Sequence, residues 1–262
     1  MTLDVRELRY SRRVRVVVPV IAEGLCHLPD YLSLAGQGTE ITVTQIERGP
    51  ASIESELDAA LAAPGVILKV LEAEGDGVDA AVIDCMDDPG LLAARETVSI
   101  PVVGPCQTTM HLASLLGHRF SVVTTAERSA SGFENRARLY GVSDKLASVR
   151  WVGIPVLDLS SSDNRLEHDL LDESVKAVEI DGAHVVVFGC TGLLGYADAV
   201  REGLERRGHV GIPVIDPLPA AIRFAEMQVD TGLRHSARTY PTPPAKARTG
   251  YGFADQATQR RT

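Results

Sequence analysis

Two rhythms of apolar residues alternate along the chain. Short β-branched runs, "RVRVVVPV" (13–20), "EITVTQI" (40–46), "VDAAVIDC" (78–85) and "IPVVGP" (100–105), predict strands. Between them, apolar residues fall at helical spacing. "SIESELDAALAAPG" predicts a helix from Ser52 that Pro64 and Gly65 end, with a further helix over 66–75. Asp88 and Pro89 read as the N-cap and first residue of a helix through "PGLLAARETV", and "TTMHLASLLG" predicts another, closed by Gly117.

The plan then restarts. "RFSVVTT", "VRWVGIPV", "AHVVVFGC" and "GIPVIDP" predict strands. Helices are expected over 128–140, along "RLEHDLLDESVKAVEIDG", over 195–207 and along "PAAIRFAEMQV". Strands alternating with helices at this spacing make parallel βαβ units.

The restart is a duplication. "EGDGVDAAVIDC" and "EIDGAHVVVFGC" share Glu, Asp-Gly, a Val and the final Cys at an offset of 105. "VSIPVVGP" and "VGIPVIDP" match at an offset of 112. The expected fold is therefore two pseudo-symmetric parallel-sheet α/β halves, residues 14–120 plus 215–233 and residues 121–214, with the active site in the cleft between them. Residues 234–262 carry six basic residues, one acid and no apolar period, and read as a flexible or oligomer-contacting tail.

Composition narrows the function. The chain has 262 residues, 45% hydrophobic and 23% charged, ordinary for a globular protein. Its net charge of -9 excludes nucleic acid as the main partner. No run reaches the ~20 apolar residues of a transmembrane helix, and the charged N-terminus lacks a signal-peptide core, so the expected place is the cytoplasm, away from membrane. Cys26, Cys85, Cys106 and Cys190 are too dispersed for a disulfide scaffold and lack zinc-like pairing.

A cysteine at a strand end usually packs. Two at matching strand ends suggest more, because ligands collect beyond the carboxyl ends of parallel strands. On opposite sides of one cleft, one thiolate can take a proton from a carbon while the opposite thiol returns one to the other face. Adjacent helix N-termini are expected to lower both thiol pKa values. Such chemistry demands no metal or organic cofactor. Cys106 reads as a neutral filler at a strand end, and Cys26 receives no role. Glu54 and Asp58, one turn apart on the expected helix, read as a solvated face or support, and His111 and His118 as packed or capping residues.

The motifs "GPASIES", "CMDDPGLLAARE", "IPVVG", "MHLASLLGHRFSVVTT" and "FGCTGL" resemble the hydantoin and allantoin racemases of the Asp/Glu racemase superfamily, in order from about Val14 to Met227. The resemblance implies cofactor-independent racemisation with Cys85 and Cys190 as acid and base, a small-molecule substrate, a homo-oligomer, and a C-terminal helix returning to the first half. It also implies that Met86 and Asp87 offer backbone N–H groups, that Thr124 and Thr125 bind substrate, and that Thr191 and Gly192 mirror the first turn. Many such racemases carry Asn-Pro-Asn after the first strand. This chain keeps Pro19 but has Val18 and Val20 in place of the amides.

Amino-acid racemases of the superfamily tend to carry Asn-Thr after the first cysteine. Here Met86, Asp87 and Asp88 follow, and acids beside the thiol favour a neutral ring such as a 5-substituted hydantoin or a related cyclic ureide. Other readings stay open: a relative that isomerises, decarboxylates or processes thiohydantoins, or a non-catalytic ligand-binding protein.

Overall fold

The computed structural model describes residues 12–23, 28–161, 163–248 and 250–251. Its two sheets are copies of one plan. Strands β1 (Arg12–Val18), β2 (Thr39–Gln45), β3 (Ala80–Ile83) and β4 (Val102–Val103) form a parallel sheet in the order β2-β1-β3-β4. Strands β5 (Phe120–Thr124), β6 (Leu146–Trp151), β7 (Val185–Phe188) and β8 (Val214–Ile215) form a second in the order β6-β5-β7-β8. Every residue of β3 and β7 is buried, as expected of parallel strands with helices on both faces.

The helices are α1 (Leu28–Ser33), α2 (Glu56–Gly75), α3 (Leu91–Thr97), α4 (Pro105–Leu116), α5 (Ala130–Leu139), α6 (Asp163–Glu179), α7 (Ala197–Arg206) and α8 (Pro217–Thr231). After β8, the chain crosses back, and α8 packs on β1, β3, β4 and α4 of the first half. The crossing falls after Ile215, which still belongs to the second sheet. Gly232 ends α8 in the left-handed conformation, φ 67°, a position that costs other residues a Cβ clash. His235 and Tyr240, within the C-terminal segment, contact the carbonyl of Val98 and the side chain of Arg95. No helix among the described residues is long and apolar enough to cross a membrane.

Three local expectations are corrected. Pro64 does not end its helix: α2 runs unbroken through it, because Ala59, Ala62, Val66 and Val70 form one continuous buried face. That burial outweighs the loss of one backbone bond. Residues 152–156 are not strand, since β6 ends at Trp151. Asp88 is not the cap of α3, whose N-cap is Gly90. Its carboxylate instead accepts the N–H groups of Cys106 (3.0 Å) and Gln107 (2.9 Å), capping α4 from 17 residues away.

The halves share apolar core. Met86 and Cys106 of the first pack in one cluster with Phe120, Phe133, Val187 and Ile215 of the second. Burying each large side chain there contributes about 1.5–3 kcal/mol, which fixes the cleft walls against one another.

Candidate active site

Both halves bring their cysteine to the same place by the same device. Val17 pairs with Ile83 and Val123 with Phe188 in equivalent register. One further bond follows in each: Asp84 donates to the Val17 carbonyl (2.9 Å) and Gly189 to that of Val123 (2.7 Å). Cys85 and Cys190 come next, past the carboxyl ends of β3 and β7. Both line one cavity of about 600 Å³.

The turns after them also match. The Asp87 N–H donates to Cys85 Sγ at 3.4 Å. The Gly192 N–H sits near the sulfur of Cys190 and pulls its pKa down. Each sulfur thus faces an amide two residues on, a donor that favours thiolate.

That support does not win in the closed chain. Burial pushes the Cys85 thiol well above its ordinary value, and the Asp87 carboxylate pushes it further. Burial likewise raises Cys190 to about 12, against the pull of the Gly192 amide. The expectation of lowered thiols is therefore reversed. The physical reason is desolvation, together with the distance to a true helix start: α3 begins only at Leu91. A thiolate formed in such a site is scarce but strongly basic.

The other expected residues divide. Met86, Asp87, Val20, Thr124, Thr125, Thr191 and Gly192 line the cavity with the cysteines, whereas Pro19 does not, although Val18 and Val20 on either side of it do. Thr124 Oγ1 donates to the Gly189 carbonyl at 3.2 Å, and Thr191 Oγ1 approaches the Asp84 carbonyl at 3.4 Å, tying the second turn to the first half. The Asp87 amide, expected to face substrate, is directed at its own cysteine.

Cys106 sits in the first turn of α4 rather than at a strand end. It is fully buried, 3.9 Å from Met110 Sδ, and outside the cavity wall. Cys26 lies outside the described residues. Glu54 precedes α2, so it and Asp58 are not one turn apart on a helix. Its Oε1 accepts the Val156 N–H of the second half at 3.1 Å. Asp58 accepts from Ser55 Oγ at 2.6 Å, within the cap of α2. His111 bonds the Gln107 carbonyl within α4.

Two residues near the thiols carried no assignment from sequence. Tyr31 of α1 donates to Asp84 Oδ2 beside the cavity. Arg136 of α5 reaches Asp87, with Nη2 2.5 Å from Oδ1 and Nε donating to the carbonyl at 3.0 Å. The signal was available: Tyr31 and Arg136 stand at the same offset of 105 as the cysteines.

Charge in the cavity is one-sided. Asp30, Asp84 and Asp87 line it, and no Lys, Arg or His does among the described residues. No group of His, Cys, Asp and Glu suited to a metal occurs among those residues. The rest of the wall is largely apolar, including Ile53, Phe133, Val156 and Leu159.

Comparison with known proteins gives a consistent set. Residues 31–225 match the family model described as Asp/Glu/Hydantoin racemase. A hydantoin racemase of Pseudomonas sp. (strain NS671) is 37% identical over 243 residues, 91% of this chain and 94% of that protein. One from Rhizobium meliloti is 38% identical over 214 residues, 81% and 86% of the two chains. Among solved structures, an allantoin racemase from Klebsiella pneumoniae matches with a TM-score of 0.85 at 31% identity, over 92% of this chain and 97% of that one.

Proposed function

The chain belongs to the Asp/Glu/hydantoin racemase family, and from that premise we propose that it racemises 5-substituted hydantoins or a close cyclic ureide with Cys85 and Cys190 as its two bases. The observation that carries this reading is the matched pair of sulfurs at equivalent strand ends lining one cavity, each drawn toward thiolate by the amide two residues on.

The chemistry balances without a cofactor. One sulfur, as thiolate, takes the C5 proton, and the C–H electron pair moves into the adjacent ring carbonyl to give an enolate. The opposite thiol then protonates C5 on its other face, re-forming the carbonyl and leaving that sulfur as the thiolate. Turnover in the reverse direction exchanges the two roles.

Electrostatics support a neutral ring. Asp30, Asp84 and Asp87 line the cavity, the last paired with Arg136 behind it, and no cation lines the wall among the described residues, so a carboxylate substrate finds no counter-charge there. The hydroxyls of Thr125 and Thr191 offer polar contacts to the ring edge. The apolar wall at Val20, Ile53, Phe133 and Leu159 suits an apolar 5-substituent.

Separate enantiomers of several 5-substituted hydantoins and of allantoin, incubated in deuterated water, test the proposal. Circular dichroism follows inversion and mass spectrometry follows exchange, each against an enzyme-free control. Inversion with deuterium gained at C5 is expected. Absence of exchange on every ring, with protein kept reduced, would overturn the reading.

A further inference from the structure

The two cysteine turns match in backbone but not in charge. Position 87 is an aspartate, and its counterpart 192 is a glycine. A Cβ at 192 would stand 3.1 Å from Leu159 Cδ1 and 3.4 Å from Cys190 Sγ, so the bare second turn lies close against both. The first turn carries a carboxylate, and that carboxylate is held by Arg136.

Arg136 is itself almost wholly buried and comes from the opposite half of the molecule. Its Nη2 lies 2.5 Å from Asp87 Oδ1 and 3.5 Å from Glu56 Oε1, while Nε donates to the Asp87 carbonyl at 3.0 Å. Two-point contact of this kind uses the planar fork of a guanidinium and is not reproduced by an ammonium. The helix is shaped to permit it. A Cβ at Gly132, one turn earlier, would come within 2.6 Å of Arg136 Nη1, so the missing side chain leaves room for the guanidinium to turn toward Asp87.

We propose that Arg136 is a positioning residue for one of the two bases only, Cys85. By gripping both the side chain and the carbonyl of Asp87, it fixes the turn whose amide meets the Cys85 sulfur, and from behind the cavity wall it offsets the charge of the Asp87 carboxylate beside that sulfur. This inference rests on the two-thiol reading above. Charged or titratable groups acting on Cys85 include Asp87 from its own turn, Arg136 from α5, Cys106 from α4 and Cys190 across the cavity. On Cys190 the leading charges are the acids Asp84, Asp87 and Glu54, while the bonds of Arg136 go to the turn of Cys85 and to Glu56. Proton removal from the substrate face that meets Cys85 therefore depends on Arg136, and removal from the other face does not.

A racemase at equilibrium hides such asymmetry, because its two directions have equal kcat/KM. Single-cysteine variants expose it. Full-length C190S and C85S proteins, each with and without R136Q, are incubated in deuterated water at about pH 9 with the separate enantiomers of 5-benzylhydantoin. Mass spectrometry reads exchange at C5 above the uncatalysed rate.

In C190S, where Cys85 is the remaining base, R136Q lowers exchange about tenfold or more and moves its pH profile to the alkaline side, since an opposite charge nearby favours the thiolate. In C85S, the same change leaves exchange within about twofold, as expected for a base with no such partner. R136K, which keeps the charge without the two-point grip, recovers part of the loss and serves in place of R136Q if that protein does not fold. Equal loss in both backgrounds would make Arg136 merely structural, and no loss in either would remove it from the reaction; both overturn the proposal. If neither single-cysteine protein exchanged either enantiomer, the two-thiol reading itself would fall first, and the proposal with it.

Discussion

Tyr140 donates its hydroxyl to Asp88 Oδ2 at 2.7 Å, joining the end of α5 in the second half to the turn that follows Cys85 in the first. The same carboxylate caps α4 through the amides of Cys106 and Gln107. One buried acid therefore holds three elements at the edge of the site. Burial pushes its pKa up to about 6, against the pull of its hydrogen bonds from Tyr140 and the two amides.

Asp88→Ala is expected to cost about 2–4 kcal/mol, through the lost cap, the stranded Tyr140 hydroxyl and a φ of 46° that aspartate tolerates better than alanine. Asp88→Asn costs less, because asparagine tolerates the left-handed region and still accepts a hydrogen bond. Urea unfolding measures both. Equal stability of the alanine variant and the parent would refute the role given to this residue.

The raised thiols make a prediction about pH. A group whose pKa is raised stays protonated further into the alkaline range, so the thiolate needed for proton removal is the minor form at neutrality. Racemisation kcat/KM is then expected to climb about tenfold per pH unit from pH 7 upward. Its acid limb has a midpoint above the ~8.5 of a free thiol. A plateau of kcat/KM already reached at pH 7 would show that one thiol of the free enzyme is ionised there, and would contradict the raised thiols.

Cys106 provides a contrast with the other two thiols. It is more deeply buried than they are, and burial raises its pKa in the same direction, but it packs on Met110 and does not line the cavity. Cys106→Ala should cost about 1–2 kcal/mol of stability as a small core deletion. Racemisation should be left within about twofold of the parent, since no reacting atom is reached. Loss of activity in a variant that unfolds normally would assign the third cysteine to the reaction.

The legible part of this protein was whatever repeats. The strand duplication placed Cys85 and Cys190 at equivalent ends before any coordinates, because a buried parallel strand is a continuous apolar run and its end is marked by the first polar turn. Features depending on distant pairs were not legible. Asp88 followed by proline has the local signature of a helix start, yet its carboxylate serves a helix 17 residues on. Pro64 and Gly65 have the signature of a helix end, which a continuous apolar face overrides. Arg136 looks like one of several surface arginines in "RARLY" until the fold sets it against Asp87. The direction of the thiol shifts was missed for the same reason: a helix N-terminus can be read from sequence, but the degree of burial cannot.

The central claim is that each face of the substrate carbon is served by its own sulfur. The most direct measurement incubates the unmodified enzyme with one enantiomer of a 5-substituted hydantoin in deuterated water, stops the reaction early and separates the enantiomers for mass spectrometry. The account predicts deuterium at C5 in the inverted product and almost none in the recovered starting enantiomer, because the opposite sulfur delivers its deuteron before the first exchanges the captured proton with solvent. Equal deuterium in both enantiomers at early times would mean that a single base serves both faces, and would contradict the account.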